Sequence, residues 1–172
     1  MPSMLIREDC KKFRKSVLSF TQLLGIDVSK YFLFEEDRSM KTYGLIQSYY
    51  LAFNNRDLAE LLKTLHPEVT YDTFLGETKT GFDAFKKHME FCFECVKETI
   101  HDLIILSSND DQNAAAKFIC DGEYVKTITG YPEACNQKYS VECYTFFELR
   151  DDLIYRVTSY FNEKNWLAQL AA

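Results

Sequence analysis

The sequence has no excess of basic residues. Its 172 residues carry 20 lysines and arginines against 26 aspartates and glutamates, a formal net charge of -6 at pH 7. A protein that binds nucleic acid neutralises phosphates with clustered Lys and Arg, and this composition gives no such footprint. Residues 1–30 differ, with six basic and three acidic side chains, so the remainder holds fourteen basic and twenty-three acidic ones. Because the chain as a whole is acidic, we exclude nucleic acid as a partner.

The chain also lacks the segments that direct a protein to or through a membrane. Arg7, Glu8 and Asp9 follow the first residues at once, so no apolar stretch is long enough for a signal peptide or a membrane span. No Asn-x-Ser/Thr acceptor site occurs, and a chain of this length can build a core without disulfides. We expect the six cysteines to be free thiols in a reducing compartment, and hence a cytoplasmic protein.

Motifs for the common cofactors are missing. The sequence has no phosphate-binding glycine loop, no nucleophile elbow and no paired-histidine metalloprotease motif, which implies chemistry without a cofactor. His88, Cys92 and Cys95 fall at positions i, i+4 and i+7 of one predicted helix and could present zinc ligands. No second Cys/His pair with suitable spacing supplies the remaining ligands, so we expect packed core thiols and no metal site.

The residues that are present suit one packed core that contains a cavity. Hydrophobic residues make up 47% of the chain and aromatic residues 15%. Apolar residues at helical spacing predict an amphipathic helix over Arg7–Leu24, in an N-terminal extension over residues 1–38 that precedes a domain over 39–172. Further helices are predicted from about Ser39 to Asn54, from Asn55 or Asp57 to before Pro67, and from Gly81 onwards, with brief strands at 69–72 and 74–77.

After Thr99 the apolar period changes to two residues. The four runs with this period are Thr99–Ser107, Ala114–Val125, Lys138–Leu149 and Leu153–Phe161. Turn-forming residues between the runs favour antiparallel hairpins. Helices first and long strands afterwards predict an α+β fold, in which helices cover one face of a curved, mostly antiparallel sheet.

Several short segments carry a family resemblance. They are Tyr49-Tyr50-Leu51-Ala52-Phe53-Asn54, Gly130-Tyr131-Pro132, Gln137-Lys138-Tyr139, Phe146-Phe147-Glu148-Leu149, the stretch from Ile154 to Asn162, and Trp166. From about Met40 to Leu170 the chain resembles the ketosteroid isomerase-related, SnoaL-like proteins of the nuclear transport factor two-like superfamily. The resemblance implies a cone-shaped half-barrel around a small-molecule pocket. Because that fold hosts isomerases, dehydratases, hydrolases and noncatalytic binders, function must be argued from the site.

Two residues resemble the catalytic groups of the isomerase. Asp72 lies nine residues before Gly81, in a stretch similar to the one that holds the isomerase's general base, and apolar neighbours would desolvate it. Tyr49, eight residues before Asp57, resembles the catalytic tyrosine, whose phenol donates a hydrogen bond to a carbonyl oxygen that gains negative charge. The alternatives are an aspartate that caps a turn and a tyrosine that only packs in the core.

Two further positions follow from the resemblance. Aligning Phe147-Glu148-Leu149 with the family places Thr145 where the isomerase has a protonated aspartate, so steroid isomerisation would lack its second acidic donor. His101 resembles the catalytic histidine of scytalone dehydratase-like members. It is predicted on the same strand face as Leu103 and Ile105, where it could return a proton. A structural histidine within the sheet is the alternative.

Together these residues indicate a cofactor-independent isomerase or lyase. Asp72 would abstract an acidic C–H proton from a small hydrophobic carbonyl or ring-containing molecule, Tyr49 would stabilise the oxygen charge, and His101 would assist proton return. The candidate ligand-contacting residues are Thr145, Phe53, Phe74, Phe118, Tyr139 and Phe147. The alternative function is a noncatalytic small-molecule-binding or protein-interaction module on the same fold. A homodimer is expected.

Overall fold

The computed structural model describes residues 29–72 and 77–171. Its helices are α1 (Ser29–Asn54), α2 (Leu58–Lys63), α3 (Phe82–Cys95) and α4 (Glu163–Leu170). Its strands are β1 (Leu65–Asp72), β2 (Thr78–Thr80), β3 (Val96–Ser107), β4 (Asn113–Tyr124), β5 (Gln137–Arg150) and β6 (Leu153–Phe161). Residues Met40–Ala172 form one compact unit. The predicted helix Arg7–Leu24 lies outside the described residues, as does most of the strand predicted at 74–77.

The six strands form one curved, open sheet in the order β2-β1-β6-β5-β4-β3. Neighbouring strands are antiparallel except β1 and β6, which are parallel. Alternation is clearest in β5, where buried and exposed side chains follow one another from Tyr139 to Arg150. The predicted α+β fold with a curved, mostly antiparallel sheet is confirmed. Among the helices of residues 29–72 and 77–171, none combines the length and the apolar character needed to cross a membrane.

Helix α1 packs aromatic rings against the inner face of the sheet. The Tyr50 ring lies 4.9 Å from that of Phe118, and the Tyr49 ring lies 5.6 Å from that of Phe147, measured between ring centroids. Both tyrosines are buried. The helix ends at Asn54, as the sequence predicts. Ring contacts of this geometry add about 0.5–1.5 kcal/mol each to the effect of burial, so they fix α1 on the sheet.

Strand β1 is longer than predicted. It begins at Leu65 instead of Val69 and includes Pro67, which has no N–H group to donate to a neighbouring strand. The strand tolerates this proline because its pairing with β6 is irregular between Leu65 and Thr70.

A bulge interrupts strand β3. The register with β4 shifts between His101 and Ile104, and Asp102 adopts a positive φ of 51°. Before the bulge the inward-facing residues are even-numbered, as Ile100 shows, whereas after it odd-numbered residues such as Ile105 pack on the core. One extra residue therefore reverses the alternation of side chains along this strand.

The outer face of the sheet presents an exposed apolar patch. It consists of residues whose exposed fractions lie between 42% and 66%, namely Ile104, Leu106, Tyr144, Phe146 and Tyr160. The strand registers bring these residues into two adjacent rows across β3, β4, β5 and β6. We call this set the outer patch. Lys117 stands between Ile104 and Tyr144 in one row, and the members of the patch themselves are apolar. An exposed group of large apolar side chains of this kind marks an interaction site more often than a freely solvated face.

The side chain of Asn54 connects α1 to the last strand of the sheet. Its amide nitrogen donates to the carbonyl oxygen of Ile100, and its amide oxygen accepts from the N–H of Ile100, both at 2.8 Å. Because β3 is the outermost described strand on this side, its backbone groups there need partners other than a neighbouring strand. One side chain thus satisfies both backbone groups of Ile100.

Replacing Asn54 with alanine should lower the free energy of unfolding by about 1–3 kcal/mol, because two partly buried backbone groups lose their partners. Urea unfolding followed by circular dichroism measures the change. The neighbouring exposed residue provides a control, and Asn55→Ala should stay within about 0.5 kcal/mol of the wild type. Equal losses in the two variants would contradict the role assigned to Asn54.

Candidate active site

The inner face of the sheet and helices α1, α3 and α4 line a cavity of about 250 Å³. Three of the predicted wall residues, Phe53, Phe118 and Tyr139, line it, whereas Phe74 lies outside the described residues. Pockets for small ligands commonly measure about 300–1,000 Å³, so this cavity suits a compact ligand. The residues with polar side chains that line it are Tyr49, Tyr71, Asp72, His88, Cys92, Cys95, Glu98, Cys120, Tyr139, Cys143, Ser159, Tyr160 and Trp166, of which Asp72 and Tyr160 direct their side chains to the outer side of the sheet.

Glu98 and Tyr139 form a hydrogen-bonded pair in the cavity wall. Glu98 stands opposite Gly122 in the β3–β4 register, and Gly122 stands opposite Tyr139 in the β4–β5 register. The three residues therefore form one row across three strands. The Tyr139 hydroxyl donates to Oε1 of Glu98 at 2.7 Å. Because neighbouring strands lie about 4.8 Å apart, the tyrosine side chain passes over a whole strand to make this bond.

Burial raises the pKa of Glu98 above the ordinary glutamate value. Removal from water disfavours the charged carboxylate, and this is the largest effect. Hydrogen bonds from Tyr139 and Cys120 and the positive charge of Arg56 act in the opposite direction. The group is therefore a better base than an exposed carboxylate, and it retains partners that support its ionised form.

Arg56 is held behind this site at the junction of α3 and β3. Its guanidinium donates to the carbonyl oxygen of Val96 at 3.3 Å and to that of Phe93. The same guanidinium lies 4.7 Å from the centroid of the Phe93 ring. These contacts fix a positive charge close enough to Glu98 to favour the carboxylate.

His88 and Cys92 line the cavity from successive turns of α3. The Sγ atom of Cys92 lies 3.6 Å from Nε2 of His88, whose ring packs on that of Tyr71 at a centroid distance of 5.1 Å. Burial and, to a lesser extent, the charge of Lys79 lower the pKa of His88, so its imidazole is neutral near pH 7. Burial and the nearby Glu98 raise the pKa of Cys92 to about 12, so Cys92 is a protonated thiol.

The cysteines of the cavity are free. Cys92, Cys95, Cys120 and Cys143 all line it as thiols. Within residues 29–72 and 77–171, no group of three His, Cys, Asp or Glu side chains is arranged to hold a metal ion. The cavity wall is therefore soft and polarisable as well as aromatic, which suits contact with a flat ring.

Asp72 borders the cavity, but its predicted desolvated surroundings are wrong. Its side chain is 27% exposed, and Arg156 forms an ion pair with it at 3.2 Å. Hydroxyl groups of Thr78 and Thr158 donate to its carboxylate at 2.7 and 3.0 Å. These partners, the Thr78 hydroxyl foremost, lower the pKa of Asp72. A carboxylate stabilised in this way is a weak base, so the geometry does not favour the predicted role, which stays a prediction.

Tyr49 lines the cavity from α1. Its side chain is buried, and burial raises its pKa above the ordinary tyrosine value, so the hydroxyl stays protonated at neutral pH. A neutral phenol in an apolar wall can donate a hydrogen bond to a ligand oxygen. Its predicted role as a donor to developing oxygen charge stays a prediction.

Thr145 and Phe147 point inwards on β5, as their strand parity predicts, but lie behind the cavity wall. The Thr145 hydroxyl is buried and lies 2.9 Å from the Ser159 hydroxyl. Phe147 packs against the rings of Tyr49 and Tyr50. Neither side chain lines the cavity, so the structure corrects their predicted contact with a ligand. Of the two hydroxyl groups in the Thr145–Ser159 pair, that of Ser159 belongs to a residue that lines the cavity.

His101 lies on the outer face of the sheet, and the prediction that it faces the cavity is wrong. Its side chain is 43% exposed, with Nδ1 3.2 Å from Asp102 and Nε2 3.0 Å from Asp121. The hydrogen bond to Asp121, above all, raises the pKa of His101. The physical reason is the β3 bulge, because the face of Ile105 cannot be extrapolated back across Asp102 to residue 101. The imidazole that reaches the cavity belongs to His88.

The sequence identifies Glu98 as an inward-facing residue only if strand β3 is predicted to begin at Val96. A strand predicted from Thr99 leaves Glu98 before the strand, with no direction assigned to its side chain. The signal is the alternation of Val96, Glu98 and Ile100, which places a carboxyl group on the same face as two buried aliphatic residues. A second signal is Gly122 within a strand, since such a glycine often marks close approach of another group.

Residues 46–157 match the SnoaL-like domain, so the chain belongs to the SnoaL-like family. Similar solved structures include a candidate polyketide cyclase from Xanthomonas campestris pv. campestris, which is 31% identical with a TM-score of 0.74 and covers 77% of this chain and 98% of its own. A candidate polyketide cyclase from Silicibacter sp. is 34% identical with a TM-score of 0.74, and the match covers 76% of this chain and 96% of the other.

A third candidate polyketide cyclase, from Pseudomonas putida, is 33% identical with a TM-score of 0.72, and the match covers 73% of this chain and 95% of the other. Among curated proteins, no match to the chain is found. The family and the cavity define a protein that handles a small molecule.

The buried carboxyl of Glu98 makes the stability of the protein depend on pH. Its pKa in the folded state lies above its ordinary value of 4.5, so this contribution is fully present below that value and is lost as pH rises through the folded-state pKa. Glu98→Gln should remove the loss and flatten the free energy of unfolding across this window. Urea unfolding at a series of pH values measures the slope.

The control for this experiment is Glu148→Gln, because Glu148 is exposed on the other face of the sheet. This variant should keep the wild-type slope. A wild-type slope in Glu98→Gln would show that the carboxyl group of Glu98 is not the group whose burial sets the pH dependence.

Proposed function

We propose that this protein is an enzyme that abstracts a proton from a carbon atom beside a carbonyl group in a small hydrophobic molecule. The observation that carries the proposal is Glu98, an ionisable carboxyl group held by Tyr139 in the wall of an apolar cavity. General base catalysis by a positioned carboxylate contributes about 10²–10⁴-fold to a rate. The proposal keeps the predicted class of isomerase or lyase and moves the base from Asp72 to Glu98.

The reaction begins when the ionised Glu98 accepts the proton from the substrate carbon. The electrons of the C–H bond move towards the carbonyl group, and its oxygen gains negative charge. Tyr49 presents a neutral hydrogen-bond donor to the cavity, and one such donor is worth about 3 kcal/mol to the transition state. Transfer of the proton from Glu98 to a second carbon completes an isomerisation, and departure of a leaving group completes an elimination.

The three similar bacterial proteins, all named as candidate polyketide cyclases, support a further outcome of the same first step. The enolate can attack a second carbonyl carbon of the same molecule, which forms a C–C bond and closes a ring. The attacked oxygen then takes the proton from Glu98. The cavity volume of about 250 Å³ favours a substrate with one or two rings over a larger fused system.

Hydrogen exchange into a carbonyl compound tests the proposed chemistry. The protein is incubated in D2O with a panel of one- and two-ring ketones and 1,3-diketones, and loss of the α-proton signal is followed by ¹H NMR. Wild-type protein should accelerate exchange for at least one compound, and Glu98→Gln should slow that exchange by about 10²-fold or more. Asp72→Asn, the matched carboxylate-to-amide change, should retain most of the activity.

Binding is measured on the same variants through Trp166, the single tryptophan of the chain, which lines the cavity. Glu98→Gln should still bind the exchanging compound, because the amide preserves the shape of the side chain. Exchange that is lost in Asp72→Asn but kept in Glu98→Gln would return the base to Asp72. Binding without exchange in the wild type would favour the alternative, a noncatalytic ligand-binding module.

We also propose that the outer patch is the interface of a homodimer. Charged pairs accompany it, since Lys117, which stands between Ile104 and Tyr144 in one row, binds Glu142 at 2.6 Å, and Arg156 lies 3.9 Å from Glu148 at the edge. A two-fold axis through the patch brings each surface against its own copy, so apolar side chains can pack together and opposite charges can pair across the interface. A stable interface needs about 800 Å² from each partner, which four strands of the sheet can supply.

Introducing a charge into the outer patch should dissociate the dimer. Phe146→Glu would bury a carboxylate in the interface, so the protein should sediment as a monomer at concentrations where the wild type sediments as a dimer. Leu51→Glu, which adds the same charge at an exposed apolar residue of α1, should leave the mass unchanged. A wild-type monomer, or a dimer that persists in Phe146→Glu, would refute this interface.

A further inference from the structure

The hydrogen bond between Tyr139 and Glu98 depends on Gly122, which lies between them in the sheet. Glu98 on β3 and Tyr139 on β5 are not neighbours, because each is paired with Gly122 on β4. A side chain at residue 122 would project from the same face of the sheet as the other two, into the space between them. The Tyr139 ring instead occupies that space, and its hydroxyl reaches Oε1 of Glu98 at 2.7 Å.

The fit of this ring over Gly122 leaves no room for a β-carbon. A β-carbon built on Gly122 would lie 2.5 Å from Cε2 of Tyr139 and closer still to Cζ and the hydroxyl oxygen. Carbon atoms that are not bonded to each other pack at about 3.5–4.0 Å, so even alanine would require the ring to move. The atoms in conflict include the hydroxyl group that binds Glu98.

Backbone conformation does not explain a glycine at this position. Among the glycines that the structure describes, those with positive φ are Gly81 and Gly130. Gly122 instead lies within the regular part of β4, and β-strand conformations are open to every residue. A glycine inside a strand also weakens the strand, because it adds backbone entropy to the unfolded chain and contributes no packing. The close approach of the Tyr139 ring is the feature that requires the absence of a side chain.

We propose that Gly122 is a positioning residue, which keeps a strand clear so that Tyr139 can lie across it and hold Glu98 in the cavity. The inference deepens the proposed function and rests on it for any effect on turnover. The dependence of the Tyr139–Glu98 hydrogen bond on Gly122 is inferred from the observed contacts and does not require the proposed function.

The carboxyl group of Glu98 reports directly on this arrangement. The hydrogen bond from Tyr139 favours the ionised form, so breaking it raises the pKa of Glu98 further. The other ionisable groups that act on Glu98 or respond to it are Arg56, Cys92 and Cys120, whereas the three atoms nearest to a β-carbon on Gly122 all belong to Tyr139. A change in this pKa therefore measures the position of the Tyr139 hydroxyl.

The test compares Gly122→Ala, Tyr139→Phe and the double variant by ¹³C NMR titration of glutamate carboxyl groups, with Glu98→Gln to assign the resonance. Both single variants should raise the pKa of Glu98 by the same amount, and the double variant should raise it no further, since both changes remove one bond. Gly44→Ala is the control, because a β-carbon there meets no atom within 4 Å. A Glu98 pKa in Gly122→Ala equal to that of the wild type would overturn the inference.

A second cycle keeps the inference testable if Gly122→Ala folds poorly. Tyr139→Ala removes the ring, so adding Gly122→Ala to it should cause no further loss of stability, whereas the same change in the wild type should lower the unfolding midpoint in urea. Equal losses in the two backgrounds would show that the strand, and not the ring, requires glycine.

Turnover separates this inference from the proposed function. If α-proton exchange is present in the wild type, Gly122→Ala and Tyr139→Phe should slow it by similar factors while Gly44→Ala does not. If the wild type shows no exchange, the proposed function fails, yet the NMR titration still decides whether Gly122 positions Tyr139. A shifted Glu98 pKa together with unchanged exchange would overturn the claim that this position serves the chemistry.

Discussion

The hydrogen bond from Tyr139 to Glu98 joins the chemistry of the cavity to the pairing of the whole sheet. Its two ends lie on β5 and β3, so it forms only while both strands hold their registers with β4. A slip of one residue would turn an entire row of side chains to the opposite face, and Glu98 would then meet solvent. The position of the proposed base therefore depends on three strands together, and no local segment of sequence determines it.

Holding a carboxyl group in this place works against stability. An ionised Glu98 is disfavoured by burial, and the cavity in front of it forgoes the packing that a filled core would provide. Aromatic packing around the cavity compensates for this loss of stability. The rings of α1 pack on β4 and β5, and the Trp166 ring lies 5.9 Å from those of Tyr139 and Phe161, measured between centroids. Such a division is typical of sites whose function conflicts with close packing.

How far the sequence predicts this site depends on whether a residue is positioned by local periodicity or by distant partners. The end of α1 at Asn54 and the inward direction of Tyr139 follow from regular spacing, and both are found. Regular spacing predicts the wrong face of the sheet for His101, because a single bulge residue reverses the alternation of side chains along β3. It also fails for the environment of Asp72, whose partner Arg156 is 84 residues away in the chain and reaches it only through the parallel pairing of β1 and β6.

Two carboxyl groups near the cavity have pKa values that are moved in opposite directions, which implies different tasks. The Asp72 carboxylate is ionised and paired with Arg156 and Thr158 on the outward-facing side of β6, whereas the Glu98 carboxyl group lies on the inner face beside Tyr139, where burial raises its pKa. Among the described residues that line the cavity, the charged types are these two acids, and lysine and arginine are absent. An anionic guest would find no lysine or arginine in the wall to pair with, so the mainly apolar wall favours an uncharged molecule. A neutral ketone satisfies this electrostatic condition and offers the acidic C–H bond that Glu98, as the proposed base, would break.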